Sequence, residues 1–172
     1  MNNKTFYNLS YGVFMLSTEW EGKANGCITN TCIQVASDPV RVSVAVLNSN
    51  YTCELMKKSG IFNVSILDKR CNFEIIKHFG YQSGRDVDKF KDMVCPVDDR
   101  GVPYLKWGAC GVLFCKVVDT MELGTHTLFI GEVINAEVLS DEAPITYADY
   151  QRDIKPKPEK KEESREIVGW RC

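Results

Sequence analysis

The stretch Asn25-Gly-Cys-Ile-Thr-Asn-Thr31, Ser37-Asp-Pro39, Val40-Arg-Val-Ser-Val-Ala-Val-Leu47 and Asn48-Ser-Asn-Tyr-Thr52 decides the fold. Val40, Val42, Val44 and Val46 recur at a strict period of two, which predicts a strand with one buried face. Ser37-Asp38-Pro39 supplies the turn before it. Two clusters rich in hydroxyls, side-chain amides and backbone N–H groups flank this strand, and the second stands where the strand ends and a helix begins. Orphan N–H groups and the helix dipole at such a junction favour an anion, and neutral donors there suit a phosphate. Two polar turns with an Asn N-cap would read the same way, so the segment alone leaves both open.

Working outward, Tyr11 to Ser17 is an apolar run that reads as a strand, and Glu21-Gly-Lys23 is a turn leading into the Asn25 segment. Tyr51 to Lys58 predicts a short helix opened by Asn50 and closed by Ser59-Gly60. Phe62 to Leu67 alternates as a strand, and Asn72 to Phe79 predicts a second short helix stopped by Gly80. Tyr81 to Phe90 is polar and without period, a loop or a single helical turn of the kind that often borders sites. Val102 to Leu105, Gly108 to Val118 and Thr125 to Leu139 read as further strands. Long strands with a few short helices and no βαβ rhythm predict a mainly β protein, an antiparallel barrel whose closure removes exposed edges.

A chain of 172 residues holds one domain of ordinary size plus a tail and needs no staples to bury a core. A net charge of −2 gives no reason to expect nucleic acid or an anionic membrane as partner. The first residues carry Lys4 without an apolar signal core, and no apolar run approaches ~18 residues. A soluble cytoplasmic protein is the expectation. The eight cysteines include no CxxC pair, and only two histidines accompany them, so neither a disulfide framework nor a closed zinc site is predicted. Free thiols packed as small hydrophobes are expected instead.

After Tyr150 the composition changes. Residues 153–168 contain the run Lys155 to Glu166, apolar only at its prolines, which reads as a solvated flexible linker following a domain over 1–152. Residues 169–172, Gly-Trp-Arg-Cys, look like the opening of a further domain.

Dinucleotide-fold GxGxxG, P-loop and GxSxG signatures do not occur in the chain. His126 opens an apolar strand, and Lys89 sits in the polar loop; a strand-end histidine and a solvated lysine are their plain readings.

Taken together, Gly26-Cys-Ile-Thr-Asn-Thr31 with Ser37-Asp-Pro39, Asn48 to Thr52, Phe62-Asn-Val-Ser-Ile-Leu67, Ser83-Gly-Arg-Asp-Val-Asp-Lys-Phe90 and His126-Thr-Leu-Phe-Ile-Gly-Glu-Val133 resemble the flavin reductase family. The match runs from about Tyr11 to Leu139. It is most similar to flavoredoxins and to the flavoprotein half of high-molecular-weight rubredoxins. The resemblance implies an FMN-binding split barrel, usually a homodimer. It implies that NADH or NADPH reduces bound flavin, which passes electrons to free flavin or a redox protein.

By the same resemblance, Asn25 and Thr29, Asn30 and Thr31 with Cys32 would line the ring and ribityl chain. Asn48, Asn50, Tyr51 and Thr52 would serve the ribityl and phosphate end, Lys89 and His126 would approach the ring system, and Tyr150 could stack over it. A cation near the ring would stabilise the charge that reduction places there. Cys32 and Cys53 read as packing residues without a redox role. Two other readings remain at this point: an electron-carrier module that does not use NAD(P)H directly, joined to a rubredoxin domain, and a flavin-free structural barrel.

Overall fold

The computed structural model describes residues 1–157. The chain opens with a 3-10 helical stretch over Asn3–Asn8 and continues through β1 (Phe14–Trp20), β2 (Lys23–Thr29), β3 (Ile33–Ser37) and β4 (Val40–Leu47). Helix α1 (Tyr51–Ser59), β5 (Ile61–Leu67) and helix α2 (Phe73–Gly80) follow, then the long β6 (Ala109–Glu122) and β7 (His126–Val138). One helical turn over Tyr147–Asp149 runs directly into a π-helical turn over Tyr150–Ile154. All pairings are antiparallel, in the order β2-β1-β5-β6-β7-β4-β3.

Local chemistry sets these boundaries. Glu21 and Gly22, at φ of 50° and 80°, make the two-residue turn joining β1 to β2, with Trp20 opposite Lys23. Asn50 caps α1 by accepting from the Thr52 N–H, and Gly60 ends it at φ 68°. Asn72 caps α2 from outside the helix.

The sheet curls until its two edge strands meet. Ile33 is the last β3 residue paired with β4, opposite Ser43. At the next position of that register the Thr31 hydroxyl replaces the backbone ladder, accepting from the Ala45 N–H and donating to its carbonyl, both at 3.2 Å. The Thr29 hydroxyl lies 3.0 Å from that of Thr31, so the end of β2 is stitched to β4. The result is a split barrel.

Two cores result, one on either face of β1. Leu16 enters the barrel interior with Val42, Val44, Val46, Phe62, Val64 and Phe129, where Cys53 and Met56 of α1 close one end. Val13 and Met15 face an outer core under α2, with Ile76, Phe79, Leu105, Ile145 and Tyr150. A strand buried on both faces loses the alternation of a half-exposed one, which accounts for the continuous apolar run there. Gly131 has no side chain because Phe62 fills its place; a Cβ there would sit 2.5 Å from the ring.

The expected strand over Val102 to Leu105 is absent. Pro103 makes only an isolated bridge with Val97, since proline offers no N–H to a ladder. The backbone here is satisfied partly within its own loop, where the Tyr104 N–H donates to the Pro96 carbonyl and the Val102 carbonyl accepts from the Asp98 N–H, and partly by side chains. Asn63 and Ser17 donate to the carbonyls of Val102 and Pro103, and Ser65 accepts from the Leu105 N–H. The segment lies against the outer face of β1 and β5, since Ser17, Asn63 and Ser65 alternate with the interior Leu16 and Val64. The π-helical turn carries regular structure two residues past Arg152, because Ile154 packs against the outer core. The rest of the expected tether, beyond Lys157, and the Gly169-to-Cys172 ending lie outside the described residues. No helix among the described residues is long and apolar enough to cross a membrane.

Candidate functional site

The N-terminus of α1 brings together a cation and a backbone donor that is unpaired among the described residues. The α1 dipole and the Tyr51 N–H meet there beside the exposed Ser49, and the loop after α2 lays a cation across them. Arg85 sits with its guanidinium carbon 5.0 Å from the Tyr51 ring centroid. It donates to the Ser49 carbonyl at 3.1 Å and to Glu54 at 2.8 Å. Hydrogen bonds from Lys58 and Arg85 hold the Glu54 carboxyl below its usual range, so it stays ionised beside the guanidinium. Arg85 was not singled out in the sequence. Its own block was visible, but its meeting with α1 is a tertiary contact across 31 residues that no periodicity reports.

Asn25, Cys27 and Thr29 share the face of β2 turned to α1. Asn25 is 1% exposed and donates to Thr52 at 2.9 Å. Its carbonyl oxygen lies under Gly84, where a Cβ would approach to 2.1 Å, and is buried without a hydrogen-bond partner. Thr52 is 0% exposed, so its hydroxyl serves the Asn25 amide and the Cys27 thiol rather than an open cleft. Burial outweighs that contact and pushes Cys27 up to about 11. With its hydroxyl engaged this way, Thr52 reads as part of the frame of α1.

Asn48 is held between α1 and the barrel, its side-chain oxygen accepting from the Cys53 thiol at 4.0 Å. Its amide donates to the Gly124 carbonyl at 2.9 Å and to Glu122 at 3.3 Å, and its oxygen accepts from Thr127 at 2.6 Å. It ties the end of β4 to the β6–β7 hairpin, which explains an amide there without any ligand. Asn50 spends its side-chain oxygen on the helix cap. Of that cluster, Tyr51 and its N–H remain with the candidate site.

Lys89 is neither solvated nor directed to an open cleft. It is 2% exposed, and its ammonium donates at 2.8 Å to the carbonyls of Gly26 and Phe79. Burial lowers its pKa, against an opposing pull from the Cys27 thiol. The side chain reaches from the loop to β2 across 63 residues of sequence, a tertiary contact that composition does not show.

Thr29 and Asn30 come together with Tyr150 in a second cleft. It holds about 180 Å³ and is also lined by Val13, Ile28, Ile76 and Tyr147. Among the described residues the Asn30 side chain makes no hydrogen bond, whereas Thr29 and Thr31 serve the barrel seam. Tyr150 is buried, 3.0 Å from the Tyr81 hydroxyl, and its ring leans on Tyr147 at 5.8 Å. Burial, with the Tyr81 contact, raises its phenol pKa. The strand from Asn25 to Thr29 joins the two regions over about 13 Å. Cys32 packs against the barrel core and its thiol is pushed up to about 12 by burial, so it is a small hydrophobe. His126 starts β7 opposite Leu47, half-buried, with Nδ1 2.8 Å from the Thr125 hydroxyl. The structure thus divides the predicted residues between the two clefts, the barrel core and the hairpin end.

A family model described as "Flavin reductase like domain" matches residues 6–156. The chain is 39% identical over 150 residues to a ferric-chelate reductase (NAD(P)H) of Archaeoglobus fulgidus, covering 87% of this chain and 89% of that protein. It is 33% identical over 152 residues to a high molecular weight rubredoxin of Moorella thermoacetica, covering 88% of this chain and 66% of that longer protein. Among solved structures, a flavoredoxin from Methanosarcina acetivorans superposes with a TM-score of 0.71 at 28% identity, covering 80% of this chain and 73% of that one. An FMN-binding protein from Thermus thermophilus gives a TM-score of 0.72 at 22% identity over 81% of this chain and 79% of its own, a likeness of fold. With nearly all of its described length matched, this chain belongs to the flavin reductase-like domain family of oxidoreductases.

Proposed function

We propose that this chain binds FMN and uses it to carry electrons from NADH or NADPH to an acceptor. The single observation behind the reading is Arg85 laid across the N-terminus of α1. A monoester phosphate needs a cation that keeps its charge and several N–H or O–H donors in one place. Arg85, the Ser49 hydroxyl and the Tyr51 N–H supply them, and the Arg85–Glu54 pair holds the guanidinium in position. A ribityl chain would follow β2 from Asn25 towards Thr29, and the ring edge would meet Asn30 and Tyr150. His126 is assigned to the approach of the nicotinamide.

Bound there, FMN would supply the redox chemistry, taking a hydride from a nicotinamide and giving electrons to an acceptor. The chain's own part is to hold phosphate, orient the ring edge through the Asn30 amide and screen one face with aromatic side chains. No residue here need move a proton for hydride transfer. Ile33 and Val35 stand exposed on the edge strand β3, with Val40 exposed at the start of β4 beside it, which supports pairing with a second copy as a homodimer.

A second reading has its own support. The rubredoxin relative carries a similar domain within a longer chain, which favours a carrier that passes electrons to an iron protein and receives them from a partner.

The test is the identity of flavin released by heat from purified protein, read with the affinities of the apoprotein for FMN and riboflavin. The proposal expects FMN and a preference for FMN over riboflavin that Arg85→Ala reduces roughly ten- to a hundredfold, the cost of a charged hydrogen bond. FAD alone, or an Arg85→Ala variant with the preference intact, would reject this placement of the phosphate.

A further inference from the structure

An ammonium buried on two backbone carbonyls, with no carboxylate partner among the described residues, is costly to keep. Lys89 is such a group, and its acceptors belong to different elements, Gly26 to β2 and Phe79 to α2. Its own carbonyl is held as well, by the His78 Nε2–H at 2.7 Å. One end of the loop after α2 is thereby fixed to the barrel edge and to the helix before it.

The other end is fixed by shape. Gly84 lies so close to the Asn25 amide that any Cβ would overlap it. Between these anchors the loop makes a single turn, with the N–H groups of Asp86 and Val87 both donating to the Ser83 carbonyl at 3.1 and 3.2 Å. Arg85 rides on that turn. With both ends fixed and one turn between them, the backbone has little freedom left in where it delivers the guanidinium.

We propose that Lys89 is a positioning residue: from the far end of the loop, it seats the turn that carries Arg85 against the N-terminus of α1. This rests on the phosphate assignment above and places Lys89 outside any contact with the flavin ring. A lysine touching the ring would act on the flavin's potential. One acting through the loop acts on the phosphate.

The test compares Lys89→Met, Arg85→Ala and the double variant in the apoprotein, by their affinities for FMN and riboflavin and by amide hydrogen exchange. In Lys89→Met the preference for FMN over riboflavin should fall tenfold or more. The double variant should be no worse than the poorer single, because both remove one interaction. The flavin midpoint potential should stay at the parent value, and exchange should quicken at residues 83–88 while β6 and β7 keep their protection. A Lys89→Met variant with the parent's preference, effects that add in full, or a shifted potential with the preference unchanged would each overturn the proposal. If Arg85→Ala leaves the preference intact, the phosphate assignment fails, and the exchange data alone then judge the latch: unchanged exchange over 83–88 rejects it. Should Lys89→Met not fold, Lys89→Gln is read identically, and failure of both to fold would make Lys89 a general core residue and reject the idea.

Discussion

Asn25 donates a hydrogen bond to Thr52 at 2.9 Å from inside the protein, joining the middle of β2 to the first turn of α1. Both residues are buried, so the pair fixes where the helix N-terminus stands relative to the strand leading to Thr29. Two polar residues that look like ligands in the sequence are in this way part of the frame around the candidate site.

Thr52→Ala should therefore act first on stability. It leaves the Asn25 amide without its acceptor, an uncompensated buried group worth about 1–3 kcal/mol. For a domain of this size that corresponds to a fall in melting temperature of about 2–4 °C per kcal/mol. FMN affinity should fall less than in Arg85→Ala. A variant that melts like the parent but loses FMN would return Thr52 to the role of a direct ligand.

Gly131 and Phe62 offer a packing test away from the site. Gly131→Ala puts a methyl 2.5 Å from the Phe62 ring, an overpacking that costs about 1–3 kcal/mol. Phe62→Leu should recover part of the loss when combined with it, since the two share one space. Thermal melts of the singles and the double decide this; simple additivity would show that the ring has other room to move.

Much of the barrel was legible because its strands are either half-buried or bounded by strong turns. Val40 to Val46 gave β4 by period, and Asn50 with Gly60 marked both ends of α1. The segment Val102 to Leu105 looked like a strand because its side chains are largely buried, yet its backbone is held by Pro96 and Asp98 of its own loop and by Ser17, Asn63 and Ser65 far away in the chain, not by a ladder. The site was harder to read for a similar reason. Asn48, Thr52 and Lys89 are polar residues in the right blocks, and only tertiary packing shows that barrel groups occupy their donors and acceptors. Arg85 lacked any local signal of its destination.

Asp68 predicts the acid limb of stability. Burial pushes its carboxyl up, but hydrogen bonds from the side chain and backbone of Arg70 and from Ser140 outweigh this and hold it below its ordinary value. The unfolded chain then binds a proton more readily than the folded one. Stability from this group is present above the unfolded carboxyl's pKa, near 4, and is lost as pH falls through the lower folded value. Asp68→Asn should melt earlier at neutral pH, by about 1–3 kcal/mol for the lost charged contacts, and show a flatter decline below about pH 4. An unchanged acid limb in Asp68→Asn would assign that limb to other carboxylates.

The central claim is that this barrel holds a flavin which a nicotinamide reduces. Anaerobic titration of the purified, flavin-loaded protein with NADH and, separately, NADPH tests it most directly, by following flavin absorption. The account predicts bleaching that is complete near one equivalent of at least one nicotinamide per bound flavin, and recovery of the absorption on adding an acceptor. A flavin that stays oxidised under excess of both nicotinamides, yet bleaches with dithionite, would contradict the reductase reading and leave the electron-carrier reading in its place.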